Sequence, residues 1–112
     1  KEHFKKYFDT LGLNESKDMT INFECNKETL KLVPGIVHVD ETCRIQTVED
    51  GFLYHLLTEF NKLTKCPMLL NTSLNLAGEP LVNTKEEACE LLNNSKLDAI
   101  YFVDDRKILY RK

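Results

Sequence analysis

The sequence lacks most of the features that would place it outside the ordinary globular classes. It has no apolar run near the roughly 20 residues that a membrane-spanning helix needs. Its first residues, Lys1-Glu2-His3-Phe4-Lys5-Lys6, are charged where a secretory signal would be apolar, so no signal peptide is expected there. Its four cysteines, Cys25, Cys43, Cys66 and Cys89, form neither a CxxC pair nor a Cys/His cluster. A structural zinc site uses ligands paired at short spacing, so no metal site is expected, and the thiols read as reduced, mostly buried groups of a cytoplasmic protein. Basic charge is also short: 15 Lys and Arg stand against 18 Asp and Glu, for a net charge of −3. That excludes a global basic field and the broad nucleic-acid binding that goes with one, leaving only a local basic patch open. No Gly-rich phosphate loop with a Lys-Ser/Thr pair occurs, and no internal repeat, low-complexity tract or linker stands out.

What is present is a chain of 112 residues with 42% hydrophobic and 29% charged residues, enough for one compact domain and too few for two. Because the first residue is lysine, a fragment of a larger protein is expected. Residues 3–11 place Phe4, Tyr7, Phe8 and Leu11 at helical spacing before Gly12. Residues 19–25 alternate as a half-buried strand, and 29–33 read as a weaker strand stopped by Pro34-Gly35. Residues 36–39 and 43–48 are short and β-branched, and they flank the polar knot Asp40-Glu41-Thr42, so a hairpin or strand–turn–strand is expected. Residues 51–64 carry Phe52, Leu53, Leu56, Leu57, Phe60 and Leu63 on one stripe and form the clearest helix. Residues 66–70 read as a fully apolar strand, with Pro67 near its start. A second helix begins at Thr84 with a Thr84-x-x-Glu87 capping box and ends near Asn93-Asn94. Strands follow at 97–103 and 108–110, separated by Asp104-Asp105. The expected fold is therefore a single small α/β (α+β) domain, a mixed twisted sheet packed by two or three helices.

Two polar segments hold more chemistry than a core needs. Residues 71–80, Asn71-Thr72-Ser73-Leu74-Asn75-Leu76-Ala77-Gly78-Glu79-Pro80, follow directly on an apolar segment. Ligands of open α/β sheets bind just beyond strand ends, and hydroxyls, amides and free backbone N–H groups can hold phosphate or carboxylate oxygens. The competing interpretation is a loop whose Asn and Ser side chains satisfy their own backbone. In residues 38–47, strand alternation puts Arg44 and Gln46 on one face, with Ile45 and Thr47 on the other. Arg44 can fork onto a phosphate or carboxylate, or it can pair with Asp40 or Glu41. His38 could carry a proton or simply be fixed near a turn.

These segments carry a family resemblance. Residues 34–48, Pro34-Gly35-Ile36-Val37-His38-Val39-Asp40-Glu41-Thr42-Cys43-Arg44-Ile45-Gln46-Thr47-Val48, resemble the pattern P-A-x-x-H-V-D-G-T-A-R-x-Q-T-V. Residues 67–82, from Pro67-Met68-Leu69-Leu70-Asn71-Thr72-Ser73 to Gly78-Glu79-Pro80-Leu81-Val82, resemble P-V-L-L-N-T-S-F-N-x-x-G-E-P-I-V. Both patterns belong to the C-terminal, YrdC-like region of NodU/CmcH-type carbamoyltransferases. The helix between them fits as well, so the resemblance covers residues 34–103 well and the first 33 loosely.

The resemblance implies an enzyme in which an N-terminal actin-like ATPase-type domain is joined to a YrdC-like domain. ATP, with Mg, and carbamoyl phosphate would give a carbamoyl-adenylate, and the carbamoyl group would pass to a hydroxyl on a small acceptor. By motif, Arg44 and Ser73 would be catalytic, with Arg44 on the phosphate. Asn75 would donate to the same ligand, Asn71 and Thr72 would shape the loop, and Gln46, Gly78 and Glu79 would complete the binding set. His38 and Asp40 would chiefly brace the strand pair. Glu41 stands where the family has Gly, Cys43 where it has Ala and Leu74 where it has Phe. Glu41 in place of Gly is expected to disfavour a left-handed turn and to repel phosphate. The family's G-P-R-A-L-G and K-x-R-E-x-F-R-P-F-A-P segments, which supply further cations, do not occur in this sequence. Three interpretations therefore stand: part of a carbamoyltransferase, active only with the rest of the enzyme; a non-enzymatic nucleotide- or anion-binding or interaction module of that descent; and a structural domain that packs on another chain. Neither a membrane nor a nucleic acid is an expected partner, and a homodimer is left open.

Overall fold

The computed structural model describes residues 1–112 and shows a small mixed α/β fold with two antiparallel sheets. The elements run α1 (Phe4–Tyr7), β1 (Phe8–Asp9), β2 (Asn22–Cys25), α2 (Lys27–Leu32), a 3-10 turn (Pro34–Ile36), β3 (Thr42–Arg44), α3 (Gly51–Thr64), α4 (Lys85–Asn94), β4 (Ala99–Phe102) and β5 (Lys107–Tyr110). They divide into two compact units, Lys1–Leu70 and Asn71–Lys112. No helix is long and apolar enough to cross a membrane.

In the first unit β2 is the central strand, antiparallel to β1 on one side and β3 on the other. Alternation along β2 sends Phe23 and Cys25 inward, as the sequence pattern requires. Phe4, Tyr7, Phe8, Phe23, Cys25 and Cys43 form the core, with Leu30, Ile36, Val37, Ile45 and Met68 packed against it. Phe4 meets Phe23 edge to face, with ring centroids 5.1 Å apart, the geometry that aromatic quadrupoles favour.

Four elements differ from the sequence reading. Residues 36–39, expected as a short strand, finish the 3-10 turn at Ile36 and join neither sheet. The helix expected over 3–11 stops at Tyr7, because Phe8 adopts extended backbone and pairs with Cys25 in the sheet. Residues 29–33 are helical rather than extended. Asn26 caps α2 by accepting from the Thr29 N–H, and the buried Thr29 hydroxyl donates to the Tyr7 carbonyl, 2.5 Å away. A cap and a satisfied buried hydroxyl outweigh the weak strand preference of Thr29 and Val33. Residues 66–70 join neither sheet. A fully apolar strand forms where neighbouring strands and covering layers bury it; here Cys66 and Met68 turn inward while Leu69 and Leu70 are exposed.

In the second unit α4 begins as expected. The Thr84 hydroxyl accepts from the Glu87 N–H, and the Glu87 carboxylate accepts from the Asn83 N–H. Ala88, Leu91 and Leu92 are its buried face. β4 and β5 form a hairpin in register Ala99↔Tyr110 to Phe102↔Lys107.

Cys25 and Cys43 lie with their sulfurs 3.3 Å apart in the core of the first unit. Burial, reinforced by contact with the Cys25 thiol, pushes the Cys43 thiol up to about 12 from an ordinary 9.0. The unfolded chain therefore releases this proton at lower pH than the folded one. The linked stability is complete below pH 9.0 and is lost as pH rises towards about 12. At pH 8 a thiol reagent is expected to modify the half-buried Cys89 promptly and Cys25 and Cys43 only as the chain unfolds. Mass-spectrometric mapping of alkylation over time checks this order.

Candidate functional site

The first group of candidate residues sits on the loop leading into β3 and on β3 itself. The His38 N–H donates to the Thr42 carbonyl at 2.7 Å and the Glu41 N–H to the His38 carbonyl at 3.0 Å. Residues 39–41 thus form a tight three-residue turn closed by these two bonds, a kind that ends in a left-handed residue. That residue is Glu41, at φ 64°. The expectation that Glu41 would disfavour a left-handed turn is therefore corrected. The Cys25 N–H donates to the Glu41 carbonyl at 3.0 Å, and Asp40 accepts from both the backbone and the hydroxyl of Thr42, at 3.1 and 2.6 Å. These bonds hold the loop on both sides of Glu41 and offset the strain of its conformation.

The same bonds define the places of His38 and Asp40. Both are exposed and both are tied to Thr42, with His38 Nδ1 3.4 Å from the Thr42 hydroxyl. The hydrogen bonds from Thr42 hold the Asp40 carboxyl below its ordinary 3.8. The stabilisation they give is accordingly present above that pH and lost as the pH falls below it. These two residues shape the loop.

Arg44 is the last residue of β3, paired with Asn22, and its side chain is exposed. The ladder ends there, yet the alternation continues: Cys43, Ile45 and Thr47 turn inward while Arg44 and Gln46 turn outward. Ser16 maintains it. The Ser16 hydroxyl donates to the Ile45 carbonyl at 2.7 Å, the Ser16 N–H donates to the Thr47 hydroxyl at 2.9 Å, and the Thr47 N–H donates to the Ser16 carbonyl at 2.6 Å. Sequence reasoning missed Ser16, because a serine in a polar loop carries no local sign of a partner 29 residues away. Arg44 and Gln46 therefore leave from one face of a segment pinned at both ends.

The second group lies at residues 71–80, in the second unit. The Glu79 N–H donates to the Leu76 carbonyl at 3.0 Å, with Gly78 at φ 81°. This is the geometry of a type II turn, which needs glycine at its third position. The Asn75 side-chain amide donates to the Glu79 carbonyl at 2.9 Å and to the Leu76 carbonyl at 3.2 Å, and the Val82 N–H closes on the Leu74 carbonyl at 3.0 Å. Asn75 Nδ2 thus braces its own loop. Asn71, Thr72, Ser73, Gly78 and Glu79 are exposed. The structure gathers His38, Asp40, Arg44 and Gln46 on the first unit and the other candidates on this loop of the second. No group of three or more His, Cys, Asp or Glu residues lies close enough to hold a metal ion.

The profile of the family described as Carbamoyltransferase C-terminus matches residues 1–109. The chain belongs to that family. A curated protein of Synechocystis sp., of uncharacterised function, is 44% identical over 69 residues, covering 59% of this chain and 11% of the relative. Another uncharacterised protein, from Methanocaldococcus jannaschii, is 35% identical over 88 residues, 76% of this chain and 14% of its own length. Nodulation protein U of Rhizobium tropici is 35% identical over 75 residues, 64% of this chain and 13% of that protein. A second uncharacterised protein of Methanocaldococcus jannaschii is 32% identical over 85 residues, and in these four relatives the matched stretch is only 11% to 17% of the relative's length.

The family pattern has glycine where this carbamoyltransferase C-terminal chain has Glu41. A left-handed non-glycine residue is strained by roughly 1–2 kcal/mol, partly offset by the extra freedom glycine has when unfolded. Glu41→Gly is expected to raise stability by about 0.5–1 kcal/mol without moving Arg44. Urea denaturation of both forms, read at the midpoint with an unchanged slope, checks it.

Proposed function

We propose that this chain is the C-terminal, ligand-handling part of a carbamoyltransferase. In the complete enzyme, ATP and carbamoyl phosphate give a carbamoyl-adenylate, and the carbamoyl group then passes to a hydroxyl of a small acceptor. The observation that carries the proposal is the presentation of Arg44: an exposed guanidinium on a strand end fixed by the 38–42 loop on one side and by the Ser16–Thr47 bonds on the other. A guanidinium carried outward on a backbone fixed in this way can fork onto two phosphate oxygens at once. Family membership supports the same interpretation.

In this proposal Arg44 neutralises phosphate charge as it shifts during adenylate formation, and Gln46 beside it donates to the same group. On the second unit Ser73 is a hydroxyl donor to ligand oxygens, next to Asn71 and Thr72. Gly78 and Glu79 hold the loop's turn, and Asn75 stiffens the loop from within. Positioning and charge stabilisation are what such transfers chiefly require of a protein. The remaining phosphate-binding cations and the acceptor site belong, in this proposal, to an N-terminal actin-like domain and to the rest of the enzyme, working in the cytoplasm.

Calorimetry on the 112-residue chain is expected to show weak or no binding of ATP or carbamoyl phosphate, because the site is incomplete; tight binding of either would contradict that. In the complete enzyme, Arg44→Ala and Ser73→Ala are each expected to slow carbamoyl-adenylate formation by about 10²-fold, the usual effect of losing one transition-state donor. Unchanged adenylate formation in both variants would remove the assignment. Ligand binding by the complete enzyme with no turnover would favour the non-enzymatic module.

A further inference from the structure

α3 is the longest helix of the chain, 14 residues, and none of its residues is buried. It is nonetheless strongly amphipathic. At 100° per residue, Phe52, Leu53, Leu56, Leu57, Phe60 and Leu63 fall within an arc of about 140°, and His55, Thr58, Glu59, Asn61 and Lys62 lie on the remaining surface. Leu53 is 49% exposed, Leu56 41% and Leu63 85%. The shorter α4 buries three side chains on its own apolar face, whereas on α3 Leu57 and Phe60 are only half-buried and Phe52, Leu53, Leu56 and Leu63 are exposed. The helix is properly terminated, with Lys65 left-handed at φ 61° and its N–H closing on the Asn61 carbonyl. Just beyond it, the apolar Leu69 and Leu70 are exposed on a segment that joins neither sheet. A helix of about 12–15 residues is marginal in water by itself and draws most of its stability from a covered apolar face. An apolar patch of this kind marks a surface that another body occupies.

We propose that the apolar stripe of α3 is a docking face for the part of a carbamoyltransferase polypeptide that lies outside the region matched here. The inference rests on the proposed function in that it takes this chain to work as part of such an enzyme. Two observations choose this occupant. The stretch matched in the first curated relatives makes up only 11% to 17% of their length, so most of each lies outside it. The stripe is also too small for a second copy. A 14-residue helix is about 21 Å long, and a face about 10 Å wide gives roughly 200 Å², against about 800 Å² per partner in a stable interface. A covering element in the same polypeptide avoids the loss of translational and rotational freedom that makes so small a face inadequate between separate molecules.

Hydrogen exchange followed by mass spectrometry tests this on two samples, the 112-residue chain and the full-length carbamoyltransferase that carries it. Amides 51–64 are expected to exchange at least about 100-fold more slowly in the full-length protein, since covering the face suppresses local opening. Leu53→Glu with Leu56→Glu in the full-length protein is expected to abolish that difference while β2 and β3 stay protected. Leu63→Glu alone, at the most exposed position, is the milder variant should the double one fail to fold, and it is expected to weaken protection over the last turns. Equal protection of α3 in the two samples would overturn the proposal, because the face would already be covered within this chain. So would a concentration-dependent dimer of the 112-residue chain that the double substitution dissolves, since the occupant would then be a second copy. Arg44→Ala, which tests the proposed function through adenylate formation, is expected to leave α3 exchange unchanged, so failure of either proposal can be told from failure of the other.

Discussion

The pairing of β3 with β2 sets the face from which Arg44 emerges. Phe23 lies opposite Cys43, both fully buried, and Asn22 lies opposite Arg44, both exposed. Side chains alternate with a period of two, so a slip of one residue would drive the guanidinium into the aromatic core and expose Cys43. Burying an unpaired guanidinium is far more unfavourable than any alternative register could repay. The hydrophobic core therefore fixes which side chains of residues 42–47 face outward. The 38–42 loop and Ser16 extend that control past the three residues that make ladder bonds.

Much of this was legible in the sequence where a single period or cap dominates. The stripe of 51–64 marks a helix whose bounds match Gly51–Thr64, and the Thr84-x-x-Glu87 box marks the start of α4. The opposition of Arg44 and Gln46 to Ile45 and Thr47 holds beyond the end of the strand. Where local and long-range forces compete, the pattern misleads. Phe4, Tyr7 and Phe8 are buried as helical spacing implies, but sheet pairing takes Phe8 out of the helix. Thr29 reads as a strand residue until its hydroxyl is seen bonded to Tyr7, 22 residues earlier. Residues 66–70 have the composition of a buried strand and lack the neighbours that would make them one.

The two motifs that carry the family resemblance resolve into different physical tasks. In the first, the loop residues His38, Asp40, Glu41 and Thr42 bond to one another and set the path of the chain, which leaves Arg44 and Gln46 as the groups presented outward. In the second, Asn75 and Gly78 build a turn that holds residues 71–80 in shape. A motif reading treats all of these as candidate ligand contacts. Geometry sorts them into residues that build and residues that present, a distinction that depends on bonds no sequence spells out.

The central claim is that the strand pair exists to present Arg44 to a phosphate. A crystal structure of the full-length carbamoyltransferase with carbamoyl phosphate and a non-hydrolysable ATP analogue tests it most directly. The guanidinium of Arg44 is predicted to lie within about 3 Å of a phosphate oxygen, with β2 and β3 in the register described. A ligand bound elsewhere, with Arg44 in solvent or paired to a carboxylate of its own chain, would contradict the account.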